Sequence, residues 1–277
     1  MESSSKKDEV LATLAEGVAR LTDSEAWRAW LNVQRRFHNY SFGNTLLILW
    51  QRPDATRVAG FHAWLHLGRH VRKGEKGIAI LAPIPQRLRV EDENGDEKTV
   101  VGAAHHFRLA HVFDIAQTDG AELPDTPISK LQGDDPHGLY AQLVEVAHTL
   151  GFTVEEDFLE SGANGDCTPA LKRIRIEVRN DPRQQVKTLA HELGHAILHG
   201  ESLVSRDVKE LEAESVAYCV CADLGIDTSE YSFGYVATWA GGSQEARRQI
   251  TASAQRIQKA AQLILGRPAS SSEDVAA

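Results

Sequence analysis

The segment LAHELGHAILHG at 189–200 constrains the fold most, because it contains the motif His191-Glu192-Leu193-Gly194-His195. On a helix, residues four apart lie one turn apart on the same face. Two imidazoles so placed can bind one Zn²⁺, while Glu192 reaches a water molecule at the metal. The flanking leucines and alanines indicate a buried helix, on which such polar side chains are costly without a function. The motif therefore predicts a helix that carries a catalytic zinc site.

A catalytic zinc needs a third protein ligand, and the helical segment at 209–225 offers three glutamates. Glu210 and Glu214 share a face, whereas Glu212 lies about 200° around the helix from Glu210. A face with two carboxylates predicts one ligand and one group that orients a zinc-bound histidine. We assign Glu210 as the ligand and Glu214 as the partner of His191, and the choice of Glu210 over Glu214 stays open. Glu212 is interpreted as part of a solvated acidic surface.

Charge is distributed unevenly along the chain. Between residues 35 and 90, ten basic residues stand against two acidic ones, although the whole chain has a formal net charge of −9. Single-stranded nucleic acids require cations for phosphates and rings for bases, and this stretch interleaves both. A solvated surface is the alternative for the charge alone. The candidate DNA contacts are Arg36, Tyr40, Phe42, Arg69, Arg72, Lys73 and Lys76.

Hydrophobic periodicity predicts an α+β protein of two domains. Helices and an antiparallel sheet are expected at 8–118, a linker rich in Pro, Gly and Asp at 119–137, and the domain with the motif helix at 138–266. Tyr231 and Tyr235 follow the ligand helix and are candidate donors to an oxyanion, with core packing as the alternative.

Three features concern the cellular compartment. Three cysteines provide no disulfide framework, and the apolar run at 46–50 is too short to span a membrane. The polar start MESSSKKDE differs from a signal peptide. The sequence therefore predicts a cytoplasmic protein without a membrane partner.

Two regions resemble known families. HELGH followed by the pattern E-x-x-A-x-x-V-A, which begins at Glu210, resembles the gluzincin metallopeptidases of the ImmA/IrrE-like group. The segments at 36–84 and 111–120 resemble the N-terminal single-stranded-DNA-binding domain of ArdC-type antirestriction proteins, and the domains follow the ArdC order. The resemblance implies a DNA-binding domain joined to a zincin-like peptidase domain that uses Zn²⁺, or alternatively Mn²⁺.

The residues and the resemblance together predict metal-assisted hydrolysis of a peptide bond in a protein partner near single-stranded DNA, with Glu192 as the base. A second hypothesis is an antirestriction protein that coats incoming single strands, with a structural or vestigial metal. A metal-dependent nuclease is the third. Glu192 favours the first hypothesis, because a purely structural zinc site does not need that carboxylate.

Overall fold

The computed structural model describes residues 2–91, 97–122, 136–160, 162–200, 204–228, 231, 233 and 243–267. Within these residues the chain forms two compact units. Unit 1 comprises residues 2–17 and 39–122, and unit 2 comprises residues 18–38 together with the described residues from 136 onward. Both units combine helices with strands, which confirms the expected two-domain α+β class.

The elements are numbered in chain order. The helices are α1 (Glu2–Arg20), α2 (Ser24–Arg36), α3 (Phe42–Gln51), α4 (Phe61–His66), α5 (Pro136–Thr149), α6 (Pro182–Leu198), α7 (Arg206–Asp223) and α8 (Gln244–Ile264). The strands are β1 (Val58–Gly60), β2 (Arg69–Val71), β3 (Ile78–Glu91), β4 (Glu97–Asp114), β5 (Thr118–Gly120), β6 (Thr153–Asp157), β7 (Gly165–Thr168) and β8 (Arg173–Glu177). No helix in the described part of the chain is long and apolar enough to cross a membrane.

An antiparallel sheet forms the centre of unit 1. Strand β4 lies between β1 and β3, and β2 pairs separately with β5. Two amide side chains of α3 bind the free edge of β3: Asn44 to the backbone N–H and C=O of Leu81, and Gln51 to those of Ala79, at 2.8–3.0 Å. These bonds satisfy backbone groups that an edge strand otherwise leaves unpaired. Asn44 and Gln51 therefore serve the fold of unit 1.

The sheet of unit 2 has the order β6-β8-β7, with β6 parallel to β8 and β7 antiparallel to it at an edge. Helix α6 follows this sheet, and its start is set locally. The Asp181 carboxylate accepts hydrogen bonds from the N–H groups of Arg183 and Gln184 at 3.0 and 3.1 Å. Pro182 occupies the first turn, where no N–H donor is needed. The N-cap thereby fixes the position of the helix that carries HELGH.

Helix α2 packs in unit 2, although the predicted first domain (8–118) includes it. Trp27 is fully buried, and its indole N–H donates to Ser215 Oγ of α7 at 2.9 Å. The Tyr218 hydroxyl of α7 donates to Asn32 Oδ1 at 3.0 Å. Helix α2 therefore belongs to unit 2 because it packs against α7, although the two helices lie far apart in the sequence.

Candidate metal centre

Three side chains from two helices of unit 2 meet at one point. His191 and His195 project from α6, and Glu210 projects from α7. The two histidine Nε2 atoms lie 3.0 Å apart, and Glu210 Oε2 lies 3.5 Å from that of His191 and 3.6 Å from that of His195. Donor atoms this close fit a single ion, since Zn–N and Zn–O bonds are about 2.0–2.2 Å long. Among the described residues, this is the cluster whose donor set fits a metal.

Each of the two histidines also has a partner at its other ring nitrogen. His191 Nδ1 lies 3.2 Å from Glu214 Oε2, and His195 Nδ1 lies 2.9 Å from Nδ1 of His199. The structure thus brings both Glu210 and Glu214 to His191, one at each ring nitrogen. An outer partner of this kind fixes the orientation and tautomer of a metal-binding imidazole.

The electrostatics of the cluster suit a cation. Burial acts to lower the pKa of His191, but hydrogen bonds with Glu210 and Glu214 outweigh burial and raise the pKa to about 9. Hydrogen bonds from His191 and His195 lower the pKa of Glu210, so that this carboxylate is charged. Burial lowers the pKa of His195, which favours the neutral imidazole that metal binding requires. A bound metal ion would take the place of a proton on His191 Nε2, which faces Glu210, while the proton on Nδ1, which faces Glu214, would remain.

Glu192 lies beside the cluster and is 7% exposed. Burial raises the pKa of its carboxyl group to about 7; His191 opposes this shift, whereas Asp166 and Glu210 add to it. The edge strand β7 passes close by, and a Cβ built on Gly165 would lie 3.3 Å from Glu192 Cγ and 2.6 Å from Thr188 Cγ2. A buried carboxyl group whose pKa is near neutrality can both accept and release a proton, as a general base must.

A cleft of about 390 Å³ opens next to Glu192. Its walls come from α6, α7 and β7, and they include Gly165, Gln184, Lys187 and Thr188. Strand β7 is the edge of its three-stranded sheet, so an extended peptide can pair with it. Lys187, which the sequence analysis did not single out, lies one helical turn before His191 and contributes a cation to the cleft. The sequence does carry a signal for it, because Lys187, His191 and His195 follow one another at intervals of four residues on one helix face.

Of the two candidate oxyanion donors, Tyr231 is among the described residues. Tyr231 lines the cleft but is 6% exposed, and its hydroxyl donates to Cys221 Sγ at 3.5 Å. Burial raises the pKa of this hydroxyl, and its ring packs edge-on against Tyr218. Core packing, the alternative interpretation, accounts for Tyr231. Tyr235 lies outside the described residues.

Glu212 is not the solvated surface residue that the sequence suggested. It is fully buried, because α8 packs over this face of α7. Arg256 Nε of α8 donates to both Glu212 oxygens at 3.2 Å, and Glu212 Oε2 lies 3.1 Å from His199 Nε2. The surface interpretation is wrong because the covering residue, Arg256, stands 44 positions later in the chain and leaves no local signal.

The rings predicted to stack on DNA bases are buried in unit 1. Tyr40 is 9% exposed and Phe42 is 3% exposed, and the Tyr40 hydroxyl donates to the carbonyl of Val58 at 3.2 Å. A buried ring presents no face to a base, so the structure contradicts Tyr40 and Phe42 as stacking residues. Phe61 at the start of α4 is 45% exposed instead.

Two of the predicted cationic contacts are engaged within unit 1. Arg69 Nε donates to Thr118 Oγ1 at 2.8 Å, and its guanidinium also donates to the backbone carbonyls of Thr118 at 3.0 Å and Gly120 at 3.2 Å. Arg72 forms ion pairs with Glu75 at 2.7 Å and Asp119 at 3.4 Å. Both arginines therefore stabilise the fold around β2 and β5.

The remaining predicted contacts are exposed. Lys73 and Lys76 lie in the segment between β2 and β3, where solvent reaches both side chains. Arg36, also exposed, ends α2 and thus belongs to unit 2.

Two regions of the chain match known family models. Residues 5–113 match the family model for the N-terminal domain of anti-restriction factor ArdC, and residues 147–223 match that for the IrrE N-terminal-like domain. An uncharacterized protein of Bacillus anthracis is 28% identical over an alignment that covers 77% of this chain and 43% of that protein. The chain therefore spans less than half the length of this curated relative.

Among solved structures, this chain is similar to the antirestriction ArdC protein from the R388 plasmid, whose metal-free crystal structure shares its fold. Its metal-free crystal structure has a TM-score of 0.51 and 23% sequence identity, with 81% of this chain and 84% of that chain covered. Its Mn(II)-bound crystal structure has a TM-score of 0.49 and 22% identity, with 81% and 87% covered.

Proposed function

We propose that this ArdC-like chain, in which an ArdC-type N-terminal domain precedes an IrrE N-terminal-like domain, is a metal-dependent peptidase that cleaves a protein partner close to single-stranded DNA. One observation carries the proposal. His191, His195 and Glu210 offer three donor atoms to one ion, and the buried carboxyl group of Glu192 lies beside them. Imidazole nitrogen suits Zn²⁺ and carboxylate oxygen suits Mn²⁺, so we propose Zn²⁺ with Mn²⁺ as the alternative.

The protein side chains have separate roles in this proposal. His191, His195 and Glu210 hold the ion, which when bound activates water and polarises a carbonyl group. Glu192 accepts a proton from the attacking water and transfers it to the leaving amine. The pKa near 7 supports both transfers, because the carboxyl group is then neither a very weak base nor a very weak acid. Glu214 orients His191 by accepting a hydrogen bond from its Nδ1–H.

The cleft supports a peptide as the substrate class. A peptide that pairs with the edge of β7 would run past Glu192, because Gly165 of that strand lines the same cleft as Glu192. Lys187 suits a carboxylate of the substrate, since charge-assisted hydrogen bonds are among the strongest in proteins.

For unit 1 we propose binding of single-stranded DNA. The exposed Lys73 and Lys76 supply cations for phosphates, and the exposed Phe61 supplies a ring. Arg72 contributes positive charge from a side chain that is already paired with acidic residues.

Antirestriction activity without proteolysis is the second candidate. The match of residues 5–113 to the ArdC N-terminal domain favours it, because that model is named after an anti-restriction factor. In this candidate the protein coats incoming single strands and the metal serves structure alone. The buried Glu192 in the cleft favours the peptidase, because a structural site has no use for it.

The test combines metal analysis of the purified full-length chain with a proteolysis assay, carried out with and without single-stranded DNA. We expect about one ion per chain and cleavage of a protein substrate that Glu192→Gln reduces by about 10²–10⁴-fold while metal content is unchanged. Glu145→Gln, on the exposed surface of α5, is the matched control and should cleave like the wild type. Full activity in Glu192→Gln would exclude the mechanism, and a metal-loaded chain that cleaves nothing under either condition would favour the second candidate.

A further inference from the structure

A hydrogen-bond network of polar side chains leads from His195 into the interior of unit 2. His195 Nδ1 lies 2.9 Å from His199 Nδ1, and His199 Nε2 lies 3.1 Å from Glu212 Oε2. Glu212 then accepts hydrogen bonds from Arg256 Nε and Nη2, and Arg256 Nη2 also donates to Ser253 Oγ at 3.1 Å. The side chains of His199 and Glu212 are 3% and 0% exposed. The network thus connects the end of α6 with α7 and α8.

Only one assignment of donors and acceptors satisfies the hydrogen bonds in this network when His195 binds a metal. When His195 offers Nε2 to a metal, its Nδ1 carries the proton and must donate. His199 Nδ1 then accepts this hydrogen bond. His199 therefore carries its proton on Nε2, and this N–H donates a hydrogen bond to Glu212. Glu212 is a carboxylate held by the Arg256 guanidinium and has no proton to return. Glu212 therefore fixes the tautomers of both His199 and His195, although its carboxylate contacts only His199.

The two metal-facing histidines are supported in different ways. His191 meets its carboxylate directly, at Glu214, whose side chain is 34% exposed. His195 reaches a carboxylate only through His199, and that carboxylate, Glu212, is excluded from solvent. Hydrogen bonds within a low-dielectric interior are stronger and more sensitive to a lost partner than those at a surface. The orientation of His195 should therefore depend more strongly on its outer partners.

We propose that His199, Glu212 and Arg256 are positioning residues that fix the ring of His195 for metal binding, so that metal affinity depends on a residue of α8. This inference rests on the metal centre of the proposed function, but it does not require that the centre hydrolyse peptides. It extends the support of His195 through three residues beyond the ligand set, the last two of which, Glu212 and Arg256, form an ion pair between α7 and α8.

A purely structural role is the competing explanation, because the ion pair of Glu212 and Arg256 also joins α7 to α8. The chain contains a matched pair for comparison: Arg267 Nη2, just after α8, donates to Asp223 Oδ1 at the end of α7 at 2.6 Å. Asp223 is likewise poorly exposed, at 12% for its side chain. No described contact links it to His191, His195 or Glu210, so Asp223→Asn reports the loss of a helix-joining ion pair alone.

The experiment measures the dissociation constant for Zn²⁺ by competition with a chromophoric chelator, and the visible spectrum of the Co²⁺-substituted protein, for full-length variants. His199→Leu should weaken binding about 10–100-fold, the usual cost of removing an outer partner of a ligand, and should shift the Co²⁺ bands. His199→Gln should recover much of the affinity, because an amide can both accept from His195 and donate to Glu212. Asp223→Asn should lower the melting temperature while its dissociation constant and spectrum match the wild type.

The outcomes separate this inference from the proposed function. A folded His199→Leu variant with wild-type affinity and spectrum would overturn the positioning role and leave the peptidase proposal intact. If His199→Leu fails to fold, Arg256→Met replaces it, because that side chain is 37% exposed; a weaker loss of affinity in the same direction supports the inference, and unchanged affinity overturns it. A wild-type protein that binds no metal would overturn both proposals, whereas metal binding without hydrolysis would overturn the peptidase proposal alone.

Discussion

Gly194 of α6 lies directly against Ala213 of α7: a Cβ built on this glycine would be 3.0 Å from the Ala213 Cα and 3.4 Å from its carbonyl oxygen. The contact lets α6 and α7 approach closely between the two helix turns that bear the metal cluster. The absence of a side chain at Gly194 therefore sets the distance from Glu210 to His191 and His195.

We predict that Gly194→Ala destabilises the protein and weakens metal binding. In a helix interior the change would ordinarily stabilise by about 0.5–1 kcal/mol, but overpacking against a backbone atom costs about 1–3 kcal/mol. The net effect should be a loss, measured as a lower melting temperature and a larger dissociation constant for Zn²⁺. Gly200→Ala is the control, since its Cβ would meet only Pro169 Cβ at 3.9 Å. A more stable Gly194→Ala variant would show that the two helices can separate freely.

The second prediction concerns the third ligand. His191→Ala, His195→Ala and Glu210→Ala should each abolish stoichiometric metal binding, because each removes one donor atom of the cluster. Glu214→Ala should retain the metal with about 10–100-fold lower affinity, because it removes only the partner of His191 Nδ1. Elemental analysis after dialysis distinguishes the four variants. Retention in Glu210→Ala together with loss in Glu214→Ala would reverse the two roles.

The third prediction concerns DNA binding by unit 1. Replacing Lys73 and Lys76 with alanine in the full chain should weaken binding of single-stranded DNA and flatten its salt dependence, since each neutralised phosphate releases about 0.7 counterion. Fluorescence anisotropy at several salt concentrations measures both effects. Tyr40→Phe is the control and should bind normally, because it changes no charge and removes only a hydroxyl group that donates to the carbonyl of Val58. An unchanged salt slope in the double variant would remove this segment from the DNA contacts.

The fourth prediction is a pH dependence of stability at Glu177. This buried carboxylate accepts hydrogen bonds from the Arg179 side chain and from the backbone N–H groups of Arg179 and Leu159, and the Arg179 bonds above all lower its pKa from 4.5 to about 2. A pKa below that of the unfolded chain stabilises the folded state above pH about 4.5, and the effect is lost as the pH falls toward 2. Glu177→Gln should therefore lower the melting temperature at pH 7.

Thermal unfolding of the wild type and of Glu177→Gln between pH 7 and pH 2 measures this dependence. The difference in melting temperature should narrow as the pH falls, because the wild-type carboxyl group is then protonated too. Glu160→Gln, at an exposed position near β6, should match the wild type throughout. A difference that is constant down to pH 2 would contradict the prediction.

Those features that depend on helix geometry could be predicted from the sequence. A spacing of four residues puts His191 beside His195, and Asp181 with Pro182 marks the start of their helix, since both effects act within one or two turns. The same reasoning identifies Glu210 and Glu214 as one face of α7. Which carboxylate faces which nitrogen depends on how α7 lies against α6, and the spacing alone leaves that open.

Burial that depends on distant elements was decided by the tertiary structure alone. Glu212 has the local pattern of a surface glutamate, yet α8 covers it and Arg256 compensates its charge. Tyr40 lies in a stretch whose basic and aromatic residues are typical of a DNA-binding surface. Its ring is nevertheless buried, and its hydroxyl donates to the carbonyl of Val58. The physical reason is common to both: periodicity within a segment reports which residues share a face, whereas the partner that covers that face is brought there only by packing between elements far apart in the chain.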